Sequence, residues 1–87
     1  MNDRYNLTPS QIVMYTTHKC GDCLRAKAFF EANHMTFLQI ELEGDKQATD
    51  FVASVNHGYH TVPMVVFPDG SVLSEPTWKE LIEKLIS

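Results

Sequence analysis

The apolar run Ile12-Val13-Met14-Tyr15 stops one short polar loop before Cys20-Gly21-Asp22-Cys23, which holds both cysteines of the chain. That order limits the fold more than any other feature. A continuous apolar run this short reads as a strand buried on both faces, as in parallel or mixed sheets. From Cys20 to about His34 the chain is rich in helix formers, among them Leu24, Arg25, Ala26, Lys27, Ala28, Glu31 and Ala32. The cysteines therefore sit where a buried strand hands over to a helix. Helical spacing puts Cys23, Ala26 and Phe30, together with Leu24 and Ala28, on the core side of that helix.

The remaining elements follow from periodicity and turn chemistry. Thr36 to Leu42 alternates, with Phe37, Gln39 and Glu41 on one side and Leu38, Ile40 and Leu42 on the other, which predicts a second strand near a sheet edge. After Gly44-Asp45, the residues Ala48, Phe51, Val52 and Val55 recur at helical spacing, and Asn56-His57-Gly58 supplies a stop. Met64 to Phe67 and Ser71 to Leu73 flank Pro68-Asp69-Gly70 and predict a hairpin. Thr77 with Glu80 fits a capping box, ahead of Trp78, Leu81, Ile82 and Leu85 on one face of a last helix. A right-handed βαβ crossover makes the first two strands parallel, and the hairpin adds antiparallel partners. The expected class is α/β, a four-stranded mixed sheet with three helices and the strand order open.

At 87 residues the chain is one small domain, able to bury about 60–65% of its unfolded surface. Residues 1–10, polar with Pro9 near the end, read as an N-terminal arm ordered by Tyr5 or Leu7, and residues 11–87 as the domain. The net charge is -4, and the seven Lys and Arg are scattered. No basic stripe exists to neutralise phosphates, so nucleic acid is not an expected partner. No apolar run reaches the roughly 18 residues of a membrane span, and Met1 to Ser10 lacks the apolar stretch of a secretion signal. A cytoplasmic protein acting as a monomer, away from membranes, is expected.

A disulfide closing a loop of about four residues is worth only about 2 kcal/mol, against about 3 for fifteen. In a reducing compartment this spacing points to transient redox chemistry or to metal. At a helix N-terminus the first amides lack intrahelical partners and the dipole end is positive, so a thiolate at Cys20 is favoured. Cys20 is the expected nucleophile. Cys23, one turn further in on the core side, is the resolving cysteine, and Gly21 permits a tight loop and close approach of another backbone. Asp22 opposes a thiolate by about 0.6–2.4 kcal/mol at roughly 7 Å, and Lys19 offsets a similar amount. The helix terminus then decides the balance, with His18 adding to the positive side when protonated.

The chain resembles the glutaredoxin branch of the thioredoxin superfamily, most closely the short mycoredoxins. The likeness covers nearly everything after residue 10. It is carried by Cys20-Gly21-Asp22-Cys23-Leu24-Arg25, Phe51-Val52-Ala53-Ser54-Val55-Asn56, Thr61-Val62-Pro63 and Pro68-Asp69-Gly70-Ser71, leading to Glu75-Pro76. The resemblance implies a thioredoxin fold in which Pro63 is cis and faces Cys20, with the Val62 backbone pairing with a bound low-molecular-weight thiol. It also implies that Ser74 and Glu75 hold the other end of that thiol, with Thr61 and His60 beside it. Two departures stand out. Gly21-Asp22 replaces the usual Pro-Tyr, and Ser74-Glu75-Pro76-Thr77 replaces the usual Gly-Gly and acidic pair. Asp22 and Glu75 disfavour carboxylate-rich glutathione unless Lys19, Arg25 or His60 compensates, and the co-substrate stays open among glutathione, mycothiol and bacillithiol.

The implied activity is thiol–disulfide exchange on thiolated client proteins, with no tightly bound cofactor or metal, and a disulfide reductase wherever Cys20 and Cys23 pair. Two rivals remain. One is an iron–sulfur carrier in which two chains share a cluster through Cys20 and a small thiol. The other is a zinc-stabilised interaction module using Cys20, Cys23, His57 and His60, although the two-residue spacer between the histidines is shorter than usual. Outside those readings His57 and His60 are loop residues, and His34 caps the first helix as a cation. Trp78, Phe29, Phe30, Phe51 and Phe67 are core.

Overall fold

The structure is a computed structural model that describes residues 2–86. Its elements are β1 (Ile12–Thr16), α1 (Gly21–Ala32), β2 (Phe37–Glu41), α2 (Lys46–Val55), β3 (Met64–Val66), β4 (Val72–Ser74) and α3 (Trp78–Ile86). The sheet runs β2-β1-β3-β4. β1 and β2 are parallel, and the β1–β3 and β3–β4 pairs are antiparallel. Every residue of β1 and β3 is buried, as continuous apolar strands in the middle of a sheet should be.

Alternation along the strands sorts the core into two clusters. Ile12, Met14 and Val65 face α1 and α3 and meet Ala26, Phe29, Phe30, Phe67 and Leu81. Val13, Tyr15, Met64 and Val66 face α2 and meet Ile40, Leu42, Ala48 and Val52. The alternation expected in β2 holds, with Phe37 on the first side and Leu38, Ile40 and Leu42 on the second.

In α1 one expectation fails. Cys23, Ala26, Phe29 and Phe30 are buried, whereas Leu24 is 66% exposed and Ala28 is also exposed. Two overlapping apolar sets compete for one helix face, and the bulkier phenylalanines win it. Leu24 then lies one residue, about 100°, off the buried stripe. The helix C-terminus also differs from expectation. Asn33 Nδ2 donates to Phe29 O at 2.8 Å, and His34 contributes a left-handed backbone (φ 55°) whose N–H reaches Glu31 O, so the cap is an amide and a turn, not a cation.

The other ends follow their sequence signals. Asp45 N-caps α2 by accepting from the Ala48 N–H at 2.9 Å. At α3 the Thr77 N–H donates to Glu80 Oε1 at 2.9 Å and the Glu80 N–H to Thr77 Oγ1 at 3.1 Å, a reciprocal capping box. β4 starts one residue later than the hydrophobic pattern implies, because Ser71 O is still used inside the turn by the Phe67 N–H. Gly70 there has φ 87°, a backbone conformation that side chains rarely adopt, so the turn favours glycine.

The expected arm is laid along the second face. The Tyr5 hydroxyl donates to the Asp45 carboxylate at 2.8 Å, and the Tyr5 N–H donates to the Tyr15 hydroxyl at 2.9 Å. The Tyr5 ring meets Phe51 edge-on at 6.4 Å, and Pro9 is buried. Burial pushes the Tyr15 phenol up, and the hydrogen bond that Tyr5 donates to Asp45 does the same to Tyr5.

Strand register gathers the interesting loops at one end of the sheet. Thr16 is level with Glu41, Tyr15 with Met64, and Met64 with Ser74. The loop leaving β1, Pro63 entering β3 and Glu75 leaving β4 therefore emerge side by side, next to the N-termini of α1 and α3.

Candidate redox site

The loop from β1 to α1 is held from the β2 side. The His18 backbone N–H donates to Glu43 Oε2 at 2.7 Å, and the His18 imidazole pairs with Glu41 and lies 3.8 Å from Glu43. That backbone bond is the first cause holding the Glu43 carboxyl below its usual range. Lys19 then turns the chain through a left-handed residue (φ 58°) into Cys20. Cys20 is extended (φ -107°, ψ 107°) and is itself the N-cap of α1, its sulfur accepting from the Cys23 N–H at 3.1 Å. A sulfur in the place of the usual capping oxygen meets the unpaired amides of the first turn directly.

Cys20 and Cys23 are joined as a disulfide, with their Cα atoms 5.2 Å apart. Cys20 is half-buried and Cys23 only 4% exposed, so one sulfur faces solvent and the other lies behind it. Gly21 is exposed, and an added Cβ would find nothing nearer than the Arg25 guanidinium at 3.9 Å. The space outside it is open to an approaching chain. Asp22 is paired with Arg25 one turn along, so Arg25, and not Lys19, answers the carboxylate beside the nucleophile. The His18 imidazole likewise lies against Glu41 and Glu43, on the β2 side of the loop.

Across from this loop the Val62–Pro63 peptide bond is cis, and Pro63 is fully buried. Pro63 O accepts from the Glu75 N–H at 2.8 Å, which locks the loop to the end of β4. Among the described residues no hydrogen bond engages the Val62 backbone. Thr61 and Val62 are half-buried, with Val62 on the second cluster, while Lys19, His60, Ser74 and Glu75 are exposed. Ser74 donates to Asn56 Oδ1 at 2.8 Å, and Asn56 Nδ2 donates to Met64 Sδ at 3.3 Å. The Asn56 side chain thereby ties the end of α2 to both strands of the hairpin, a role that periodicity could not reveal.

Glu75 (φ 49°) joins Asp22, Arg25, Pro76, Thr77 and Trp78 around a hollow of about 320 Å³. Trp78 was expected in the core and is instead 46% exposed. Its Nε1 donates to Arg25 O at 3.0 Å, and its ring meets Phe29 edge-on at 5.5 Å, so it bridges α3 to the helix bearing the cysteines. An indole with its N–H on a helix carbonyl is satisfied at a surface, which is why helical spacing alone misplaces it.

Cys20, Cys23, His57 and His60 do not assemble as one donor set. Among the described residues the three metal-capable donors that gather within 4.8 Å are His18, Glu41 and Glu43. Nor is any helix among the described residues long and apolar enough to cross a membrane.

The family model described as Glutaredoxin matches residues 12–72, a span running from β1 to the first residue of β4. The chain belongs to the glutaredoxin family. A Mycobacterium tuberculosis protein whose name places it among the glutaredoxins is 43% identical over 75 residues, covering 86% of this chain and 89% of that one. Mycoredoxin 1 of Corynebacterium glutamicum is 29% identical over 76 residues, covering 87% and 94%. Among solved structures, a glutaredoxin from Archaeoglobus fulgidus superposes with a TM-score of 0.73 at 26% identity, covering 88% of this chain and 87% of that one. The fold is thioredoxin-like, and the chain is a redox protein of this family with a cysteine pair at its site.

Proposed function

We propose that this glutaredoxin-family protein reduces mixed disulfides between client proteins and a low-molecular-weight thiol, with Cys20 as nucleophile and Cys23 as resolving cysteine. The observation that carries this is the position of the Cys20 sulfur as the N-cap of α1, with buried Cys23 directly behind it. Reduced, Cys20 is favoured as a thiolate by the helix amides and dipole. The Cys20 thiolate attacks the small thiol's sulfur in the client mixed disulfide. The Cys20–sulfur bond forms, the client–sulfur bond breaks, and the client leaves as a thiolate that takes a proton from water. A second small thiol, or Cys23, then frees Cys20. The Cys23 route ends in the Cys20–Cys23 disulfide and calls for an external reductant such as a disulfide reductase. The chemistry suits a monomer in the reducing cytoplasm.

The thiol lies between the two loops. The unused Val62 N–H and C=O offer strand-like pairing to a peptide-like segment, beside Thr61 and cis Pro63. Its far end reaches Ser74 and Glu75, with Lys19, Gly21, Asp22 and His60 at the rim. Because Arg25 is committed to Asp22, no described ion pair engages the Glu75 carboxylate. That favours a hydroxyl-rich thiol without carboxylates, such as mycothiol, over glutathione or bacillithiol, each with two.

The test compares wild type, Cys20→Ser and Cys23→Ser on client peptides capped with glutathione, mycothiol and bacillithiol. Cys20→Ser should fall to background with every cap. Retained turnover in Cys23→Ser identifies the single-cysteine route, and an accumulating Cys20–small thiol disulfide that goes no further identifies the two-cysteine route. Activity surviving in Cys20→Ser, or a purified protein that is brown with bound cluster and inert toward all three caps, defeats the proposal.

A further inference from the structure

A cavity of about 160 Å³ opens against the cysteine pair on the β2 side, away from Pro63 and Glu75. Cys23 borders it from α1, as do Lys27 from the same helix, His18 and Lys19 from the loop, and Glu41 from β2. Its volume suits several water molecules, with polar and charged side chains set in a mainly apolar wall. Cys23 is thus shielded from bulk solvent yet borders a pocket behind the nucleophile that charged side chains also line.

Lys27 follows Cys23 by four residues on α1, so the two side chains leave the helix as neighbours on one face. The charges around the cavity are distributed unevenly. The Glu41 carboxylate is taken by His18, and Glu43, just beyond, receives the His18 backbone N–H. Lys19 is exposed at the loop. Lys27 is half-buried, and among the described residues no ion pair or hydrogen bond engages its ammonium. Of the two lysines at this cavity, Lys19 is exposed on the loop beside Cys20, whereas half-buried Lys27 stands one turn along α1 from the buried Cys23 sulfur.

We propose that Lys27 is a positioning residue for the resolving cysteine, its ammonium acting across the cavity to favour Cys23 as a thiolate. This rests on the redox reading above. Burial by itself disfavours a thiolate, and a nearby cation offsets that. In resolution, the Cys23 thiolate attacks the Cys20 sulfur of the Cys20–small thiol disulfide. The Cys20–Cys23 bond forms, the Cys20–small thiol bond breaks, and the small thiol departs as a thiolate that takes a proton from water. In regeneration, a small thiolate attacks Cys20, and Cys23 leaves with the bonding pair beside the ammonium and is protonated through the cavity. A second small thiolate attacks the first and expels Cys20. Two small thiols are oxidised to their symmetric disulfide, and one protein disulfide is reduced.

The experiment uses a stoichiometric cap. Reduced protein is treated with a thionitrobenzoate disulfide to cap Cys20, and release of yellow thionitrobenzoate by Cys23 is followed against pH for wild type, Lys27→Met and Lys27→Arg. Met keeps the aliphatic stem, so α1 packing is preserved, and circular dichroism checks the fold. Lys27→Met should slow closure at neutral pH about tenfold, the effect of a one-unit change in ionisation, and should move the midpoint of the profile to higher pH. Lys27→Arg should restore most of the rate. Superposable wild-type and Lys27→Met profiles overturn the proposal, as does slowing by the same factor at every pH. A protein that takes no cap at Cys20, or releases nothing at any pH, defeats the redox reading instead.

Discussion

The two faces of the sheet are built differently. The face under α1 and α3 is aromatic, with Phe29, Phe30 and Phe67 in one cluster and rings stacked edge-on from Trp78 through Phe29 to Phe30. The face under α2 is made of Val13, Ile40, Val52 and Val66, completed by Tyr15 and by polar ties from the arm. On the first face the helix is pinned by large rings near its C-terminus, which leaves its first turn to present the cysteines. On the second face α2 lies with one apolar side on the sheet and carries no chemistry. The rings anchor the body of the helix whose first turn carries the cysteines.

The comparison breaks most readily at Phe30. Fully buried, it should cost about 3–5 kcal/mol as Phe30→Ala, against about 2 kcal/mol for Val52→Ala on the opposite face. Urea unfolding of both variants measures the difference, and equal losses would remove the asymmetry. Asp45 probes the second face through its polar ties. The Ala48 N–H first, and then the Tyr5 hydroxyl, hold its carboxyl below the usual range. Its stabilisation is therefore complete above the ordinary carboxylate value, about pH 4, and drains away as pH falls through the lower folded value. Asp45→Ala should lower Tm by about 5 °C near neutrality, and the gap from wild type should narrow in acid. Tyr15→Phe removes only the acceptor of the Tyr5 N–H and should cost about 1 kcal/mol by the same unfolding measurement. The smallest effect belongs to Glu75→Gly. Relief of a left-handed backbone should stabilise by about 0.5–1 kcal/mol in thermal unfolding, while KM rises for the preferred thiol if Glu75 contacts it.

Much of this was legible in the sequence because the signals were local. A capping box declares itself by two residues, a buried strand by four, and the handover from Ile12–Tyr15 to Cys20 by order alone. The cis Pro63 and its closeness to the cysteines came from family likeness, since no local pattern sets an isomer. What stayed hidden depended on choices among distant partners. Leu24 and Phe29 compete for the same face until the sheet is present to receive only one of them. Trp78 looks like core until Arg25 O is found within reach of its indole. Asp22 and Lys19 balance on paper until Arg25 claims the carboxylate. The cavity by Lys27 exists only because β2 passes beside α1, which the sequence left open.

The sulfur of Met64, fully buried and receiving the Asn56 amide, bears on how the protein ages in use. Oxidants convert accessible thioethers to sulfoxides, polar groups that a packed interior does not accommodate. Met14 and Met64 are shielded beside the site, whereas Met35, half-buried at the rim between α1 and β2, is open to attack. Among Met14, Met35 and Met64, peroxide should therefore mark Met35 first and spare the two buried thioethers beside the site.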